Sequence, residues 1–347
     1  MTIEIVSLLK EKAITASDDA VTVNKTKAWT GARKTFKLSE NPPVNIMVNG
    51  SPTINNFPIS LLIQEFEKFE KNEDIEKMAV EFLDYIGKTV PKTNVKSFIK
   101  TKINEFSMLY GPIEKEEYEK FIELIKTIDI EIPKFIGNDF DPEFLNMIDP
   151  ETPKKLSDEI KESIKKAFCQ YLITESTGIV ITGISNSHHF PTCISLNIIL
   201  NNDGKIEIMN YNSKINYNRT EFEVFGQSST VDSYLTGIDE ELENEIYRLV
   251  EIIMTPTNNE LKMLKTEIGK LKIHNKNRIL RNIDTLSDND LFEFMEILIK
   301  STSLKTKLTS DIDSAGSEVH IEKITKERGI ERKENVYKII ETKEKLR

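Results

Sequence analysis

Apolar residues in the first part of the chain recur at alternate positions, as they do in β-strands that bury one face. Between residues 2 and 54 the pattern is interrupted by ENPP and NGSP, whose proline, asparagine and glycine residues favour turns. The pattern predicts a set of short strands in the segments TIEIVSL, KAITA, AVTVN, KTFKL and VNIMVN.

From residue 58 to about residue 172 the apolar residues are spaced three and four apart, which is the period of an amphipathic helix. Helices are predicted in the segments PISLLIQEFEKFEKNEDIEKMAVEFLDYI, EEYEKFIELIKTI and LSDEIKESIKKAFCQYLI. Strands return between residues 178 and 225, where TCISLNIIL and KIEIMNY flank the hairpin signal NNDG.

The last part of the chain is predicted to be helical from Asp239 to about Lys307, with a short strand, EVHIEKI, at 318–324. Residues 326–347 mix Lys, Arg and Glu densely and are predicted to form a charged helical tail. The order strands, helices, strands, helices, strand predicts an α+β domain over residues 1–325, with a large helical insertion at about 60–170.

Composition narrows the class of protein. The chain has 347 residues, of which 38% are hydrophobic, so it can bury a large core. A net charge of −10 without a long basic block makes nucleic acid a poor partner, and no segment predicts a membrane span. The two cysteines lie in unrelated surroundings, and the N-terminus lacks the basic flank and cleavage site of a signal peptide. We therefore expect a cytoplasmic protein.

Thr2, Asp18 and Lys34 form a candidate catalytic set, equally spaced along the chain. Met1 precedes a small residue, so its removal would leave Thr2 with a hydroxyl and a free α-amine. That amine has an ordinary pKa of about 7.7–8.0 and can act as the base for the hydroxyl. A buried Lys34 would favour the neutral amine by like-charge repulsion, and Asp18 would keep Lys34 charged and oriented.

These residues and their surroundings resemble the start of proteasome β subunits and their bacterial relatives. The segments that carry the resemblance are MTIEIVSLL, AITASDDAVTV, RKTFKL and VNIMVNG. The resemblance implies that Thr2 is the nucleophile and that Asp18 and Lys34 occupy the positions of the family's aspartate and lysine motifs. Gly50 matches the glycine whose N–H stabilises the oxyanion, and Val48 would then line the substrate pocket.

The resemblance implies an N-terminal-nucleophile hydrolase with an αββα four-layer sandwich, cleaving peptide or amide bonds without a metal or organic cofactor. It also implies a homo-oligomer, since proteasome relatives assemble into rings. Weaker similarity in the segments EFEVFGQSSTVDSYLTGID and DIDSAGSEVHIEKI makes Ser228 the nearest match to an assisting serine and places Asp311 and Ser314 near the threonine.

Several features leave other interpretations open. Ala20 stands where the family has arginine, and Asp19 adds a charge beside the site. A catalytically inactive relative that serves as a scaffold or binding module is therefore an alternative, as is a helical interaction protein. The acid pair by itself is also typical of a tight turn. The segment SHHFPTC, with its two histidines and Cys193, suggests a metal site, but a polar loop between strands explains it better.

Overall fold

Two five-stranded antiparallel sheets form the centre of the chain. The structure is a computed structural model, and it describes residues 3–23, 27–29, 32–55, 57–90, 103–106, 158–187, 189–200, 206–216, 220–226, 228–254, 258–309 and 318–333. The strands are β1 (Ile3–Leu8), β2 (Lys12–Asp18), β3 (Val21–Val23), β4 (Lys27–Trp29), β5 (Thr35–Ser39), β6 (Val44–Gly50), β7 (Thr53–Ile54), β8 (Phe57–Pro58), β9 (Thr177–Ile184), β10 (Pro191–Leu200), β11 (Ile206–Ile215), β12 (Glu221–Gly226), β13 (Val319–Thr325) and β14 (Gly329–Arg332).

The first sheet has the strand order β12-β1-β2-β13-β14, and the second has the order β11-β10-β9-β6-β5. Strands far apart in the chain are neighbours in both sheets, since β13 pairs with β2 and β9 pairs with β6. Two short pairs, β3 with β4 and β7 with β8, lie outside these sheets.

Helices are found in three parts of the described chain. They are α1 (Ile59–Phe66), α2 (Ile75–Thr89), α3 (Asp158–Glu175), α4 (Ser229–Thr236), α5 (Glu240–Met254), α6 (Asn258–Ile283) and α7 (Asp288–Thr309). The start of α2 is fixed by Asp74, whose carboxylate accepts hydrogen bonds from the N–H groups of Glu76 and Lys77. These amides have no partner within the helix, so the cap satisfies them.

The two sheets pack face to face through a hydrophobic cluster that both of them supply. Leu8, Ala13 and Ile324 are aligned across β1, β2 and β13, and they pack with Ile184 of the second sheet. Because alternate residues of a strand point to opposite faces, the neighbours of these residues point away from the second sheet.

A separate hydrophobic cluster covers the outer face of each sheet. On the first sheet, Ile5 and Ile14 pack with Phe292 and Met295 of α7. The outer face of the second sheet packs against α1 and α2. Both faces of each sheet are thus buried, which is why all the residues of β1 and of β9 are buried and their sequences read as nearly continuous apolar runs.

The mixture of helices with antiparallel sheets confirms the predicted α+β class. Helices α1 and α2 lie in the range predicted as an insertion and pack on the second sheet. Most of the remainder of that range, residues 91–102 and 107–157, lies outside the described residues.

The predicted helical tail needs a correction at its start. Residues 329–332 form strand β14, which pairs with β13. Ile330 packs against the cluster between the sheets, and Arg332 donates a hydrogen bond to Glu322. The prediction was wrong there because a dense mixture of charges conceals the one apolar side chain of this strand, that of Ile330, which is partly buried. Residues 334–347 lie outside the described part of the chain.

Candidate functional site

One end of the first sheet brings together the segments that carry the candidate residues. Strand β1 begins at Ile3, opposite Gly226 at the end of β12. Strand β2 ends at Asp18, opposite Val319 at the start of β13. The start of β1, the acid pair, the end of β12 and the start of β13 therefore lie at the same end of the sheet.

Asp18 is the centre of the polar contacts at this edge. Its Oδ1 accepts hydrogen bonds from the N–H of Ile3 at 3.0 Å and from Lys34 Nζ at 2.6 Å. Its Oδ2 accepts a hydrogen bond from the N–H of Ala20 at 3.2 Å. Three donors thus hold one carboxylate, which compensates for much of its lost hydration.

The Lys34–Asp18 ion pair is almost completely buried. Only 5% of the lysine side chain and 3% of the aspartate side chain are exposed. The backbone carbonyl of Lys34 accepts a hydrogen bond from the N–H of Val48 at 3.0 Å, which ties this segment to β6. An ion pair buried this deeply contributes no more to the free energy of unfolding than an apolar pair of the same size, so stability alone does not explain its presence.

Asp19 also makes contacts that a simple turn does not require. Its Oδ1 accepts a hydrogen bond from the N–H of Glu318, and its carbonyl accepts one from the N–H of Ala32. The turn interpretation accounts for the bond from Ala20 to Asp18, which spans two residues. It does not account for the bonds to Lys34 and Glu318, which are distant in sequence.

Gly50 ends strand β6 opposite Thr177 and has a φ of +68°. A Cβ at this position would lie 2.3 Å from the carbonyl oxygen of Ser176, so only glycine fits here. The side chain of Val48, to which the resemblance assigns a wall of the substrate pocket, belongs to the cluster between the second sheet and helices α1 and α2. It lies two residues from Gly50 and points to the opposite side from Asn49.

The remaining predicted site residues are placed only in part. Ser228 immediately precedes α4 and lies two residues after Gly226, which is paired with Ile3. Ser228 is therefore two residues along the chain from the end of the sheet at which β1 begins. Thr2, Asp311 and Ser314 lie outside the described residues.

Glu4 is a buried carboxylate at this end that the sequence interpretation left without a role. It has no exposed surface, and its Oε2 accepts a hydrogen bond from Asn49 Nδ2 at 2.9 Å. Burial raises the pKa of Glu4 to about 7. The sequence does contain a signal for its burial. Side chains alternate along a strand, so Glu4 lies on the same face of β1 as Val6 and Leu8, whose side chains face the second sheet.

The metal interpretation of SHHFPTC receives little support from the part that the structure describes. Burial raises the pKa of the Cys193 thiol to about 12, which disfavours the thiolate that a metal would need. His189 Nδ1 lies 3.1 Å from Lys326 Nζ, and His188 lies outside the described residues. Among the described residues, no group of three or more His, Cys, Asp or Glu side chains is arranged to hold a metal ion.

Two further observations concern the surface. A cavity of about 500 Å³ is lined by residues of β5 and the β5–β6 turn, of the segment between α1 and α2, and of the β9–β10 loop, and it includes none of the candidate site residues. Within the described ranges, no helix combines the length and the apolar character needed to cross a bilayer.

Comparison of the sequence with protein-family models finds no match, and comparison with curated proteins finds none either.

Proposed function

We propose that this protein is a threonine-type N-terminal-nucleophile hydrolase of the proteasome-like kind, cleaving peptide or amide bonds through Thr2 after removal of Met1. The observation that carries the proposal is the buried Lys34–Asp18 ion pair, together with the hydrogen bond from the Ile3 N–H to the same Asp18 oxygen. Ile3 directly follows Thr2 in the chain. The hydrogen bond from Ile3 to Asp18 therefore connects the residue next to the proposed nucleophile with the ion pair.

In the proposed reaction, the Thr2 hydroxyl attacks the substrate carbonyl carbon and its proton passes to the α-amine of the same residue. The positive charge of Lys34 favours the neutral amine, and Asp18 fixes Lys34. The Gly50 N–H stabilises the developing oxyanion, a role whose loss typically costs about 10²–10³ in rate. The amine proton then goes to the leaving amine, and water hydrolyses the acyl-threonine ester.

Two features of the fold support the proposal. Two sheets packed face to face, with helices on each outer face, agree with the αββα sandwich that the resemblance implies. In addition, the strand ends that carry Asp18 and Gly226 meet where β1 begins. Asp311 and Ser314 precede β13, which begins opposite Asp18, so the proposal gives them, with Ser228, assisting roles in this reaction.

The proposed chemistry requires a free threonine amine, and this gives the first test. Intact mass should show loss of Met1, and a covalent probe directed at N-terminal threonine should label the wild-type protein. We expect Thr2→Ala to abolish labelling with little change in the free energy of unfolding. Thr285→Ala is the matched control, because Thr285 is exposed and bonds only locally to the carbonyl of Asn282.

The outcomes separate the proposal from its alternative. Equal labelling of wild type and Thr2→Ala would place the reactive group elsewhere. A wild-type protein that loses Met1 and still resists the probe would favour the inactive scaffold. Activity in a protein that retains Met1 on every molecule would contradict the proposed base.

A homo-oligomer is also part of the proposal. Helix α5 buries none of its residues, and its apolar side chains recur along one side at helical spacing. The exposed members of this stripe are Leu242, Ile246, Leu249 and Ile253. Self-association through this face would bury them. We expect sedimentation to show species larger than the 39.9 kDa chain at micromolar concentration, and only the single chain after Leu249→Glu.

A further inference from the structure

Glu4 occupies an unusual position in the layer between the sheets. It lies in β1 opposite Ser17, and Ser17 contacts Thr35 of the second sheet through a hydroxyl–hydroxyl distance of 3.0 Å. Asn49 supports one oxygen of Glu4, whereas Oε1 has no hydrogen-bond partner among the described residues. The arrangement is tight, since a Cβ on Gly178 would lie 1.9 Å from Asn49 Oδ1.

Few groups that carry charge act on Glu4 from the elements packed around it. The ion-pair members Asp18 and Lys34 act on it in opposite directions. From β10, the thiol of Cys193 interacts with Glu4, and that thiol is neutral near pH 7 because burial raises its pKa to about 12. On β12 the residue opposite Glu4 is Phe225, and Glu223, two residues away on the same face, is paired with Lys214. Within the group formed by Glu4, Asp18 and Lys34, one lysine therefore faces two carboxylates.

The proton on Glu4 decides the net charge of this group. With Glu4 protonated, the charges of Lys34 and Asp18 cancel. With Glu4 ionised, the group carries one net negative charge in a region shielded from water. Burial is the largest influence and raises the pKa of Glu4 to about 7, against the hydrogen bond from Asn49 and the charge of Lys34, which lower it.

We propose that Glu4 is a positioning residue of the candidate active site, whose protonation sets the charge beside the Lys34–Asp18 pair and so the basicity of the Thr2 amine. This inference rests on the proposed function. Two residues of chain span at most about 7 Å, so the Glu4 and Thr2 backbones lie close together. An ionised Glu4 would stabilise the protonated amine and reduce the fraction that can act as base.

The first test concerns stability and does not depend on activity. Since the pKa of Glu4 rises from 4.5 to about 7 on folding, its proton stabilises the folded state below pH 4.5, and this contribution is lost as the pH rises to about 7. The folding equilibrium constant of wild type relative to Glu4→Gln should fall by up to about tenfold per pH unit in that window. Glu11→Gln, which changes an exposed carboxylate, should keep the wild-type pH dependence. Equal pH dependence of wild type and Glu4→Gln would overturn the inference.

The second test uses the pH profile of labelling by the N-terminal-threonine probe. In Glu4→Gln the side chain at position 4 is neutral at every pH, so it no longer stabilises the protonated Thr2 amine. The acid limb of the labelling profile should therefore move to lower pH. For a carboxylate and an amine separated by a distance on the order of 7 Å, one charge shifts a pKa by roughly half a unit to one and a half units, depending on local screening. Glu11→Gln should give the wild-type profile.

The outcomes distinguish a failure of this inference from a failure of the proposed function. If wild type and Glu4→Gln are labelled with the same pH profile, the hydrolase proposal stands and the role of Glu4 is refuted. If wild type is not labelled at any pH, the proposed function fails and the role of Glu4 fails with it, even where the stability test shows a buried titrating carboxyl.

Discussion

The two ends of the layer between the sheets are built from opposite kinds of residue. At one end, Leu8, Ala13 and Ile324 pack with Ile184 and are completely buried, without polar atoms in their side chains. The other end contains the buried Lys34–Asp18 ion pair and the Glu4 carboxylate, which is supported by the amide of Asn49. The fold is common to both ends, so its packing does not require the polar set.

The difference supports the proposal that the polar end carries the chemistry. An apolar set of similar volume would hold the sheets together at least as well as the polar one, because burying charges costs hydration that their attraction only partly restores. Departures from simple packing rules are expected at functional sites. The polar end is also the end where β1 begins and where Asp18 accepts a hydrogen bond from the N–H of Ile3.

The largest expected effect comes from breaking the ion pair. Lys34→Ala leaves Asp18 buried without its cation, so we expect a loss of about 3–5 kcal/mol in the free energy of unfolding. The double variant Lys34→Met with Asp18→Asn should recover most of this loss in urea unfolding, because neither member of the pair is left charged without its partner, and it should not recover probe labelling. The control is Lys270→Ala, which breaks a pair with Glu267 whose side chains are 66% and 64% exposed and should cost about 0–1 kcal/mol.

If the double variant stays as unstable as Lys34→Ala, the two residues contribute packing rather than a compensated charge pair. The contrast between the two ends of the layer would then lose its physical basis.

A somewhat smaller effect is expected at the apolar end. Leu8→Ala creates a cavity between the sheets and should cost about 2–5 kcal/mol. The loss should be the same at pH 5 and pH 8, because Cys193 is the one ionisable residue of the cluster around Leu8 and its thiol, with a pKa raised by burial to about 12, stays neutral over this range. The loss caused by Glu4→Gln should change over this range. Leu304→Ala, at a position 58% exposed, should stay within about 0.5 kcal/mol of wild type. A pH-dependent loss at Leu8 would show that the two ends are coupled.

The sequence predicted the apolar end more completely than the polar end. Alternation in TIEIVSL and VNIMVN predicts strands, and strand pairing then follows the usual rule that apolar faces meet. The pairing of β13 with β2 and of β6 with β9 could not be read from spacing, because each joins segments more than a hundred residues apart. The resemblance suggested that Asp18 and Lys34 meet, and they do.

Glu4 and Asn49 were missed for a physical reason. Strand alternation shows that each shares a face with buried apolar residues, yet it does not show that those two faces meet. Only the packing of one sheet on the other brings Asn49 Nδ2 within 2.9 Å of Glu4 Oε2. A single carboxylate in an apolar strand is still a signal, since a buried polar group must find a partner.

An intermediate effect is expected where a glycine makes room for this contact. Gly178→Ala would force the side chain of Asn49 away, because the new Cβ would lie 1.9 Å from its Oδ1. Loss of the Asn49–Glu4 hydrogen bond should cost about 1–3 kcal/mol in urea unfolding. Gly269→Ala is a matched control in helix α6 with no atom within 4 Å of the new Cβ, and it should stabilise the protein by up to about 1 kcal/mol. If Gly178→Ala is equally harmless, the glycine is not what keeps Asn49 in place.

The smallest net effect is expected for the neutral pair beside the ion pair. Ser17 Oγ and Thr35 Oγ1 are 3.0 Å apart and buried between the sheets. Ser17→Ala leaves the Thr35 hydroxyl without this partner, and Thr35→Val does the same to Ser17, so each single variant should lose about 1–2 kcal/mol. The double variant should lie within about 0.5 kcal/mol of wild type, because both polar groups are replaced together and the shape of the layer is nearly kept. Urea unfolding of the four proteins measures the coupling between the two residues. Additive losses would mean that the hydroxyls contribute independently, whereas cancellation would show that this part of the polar end can be made apolar at little cost.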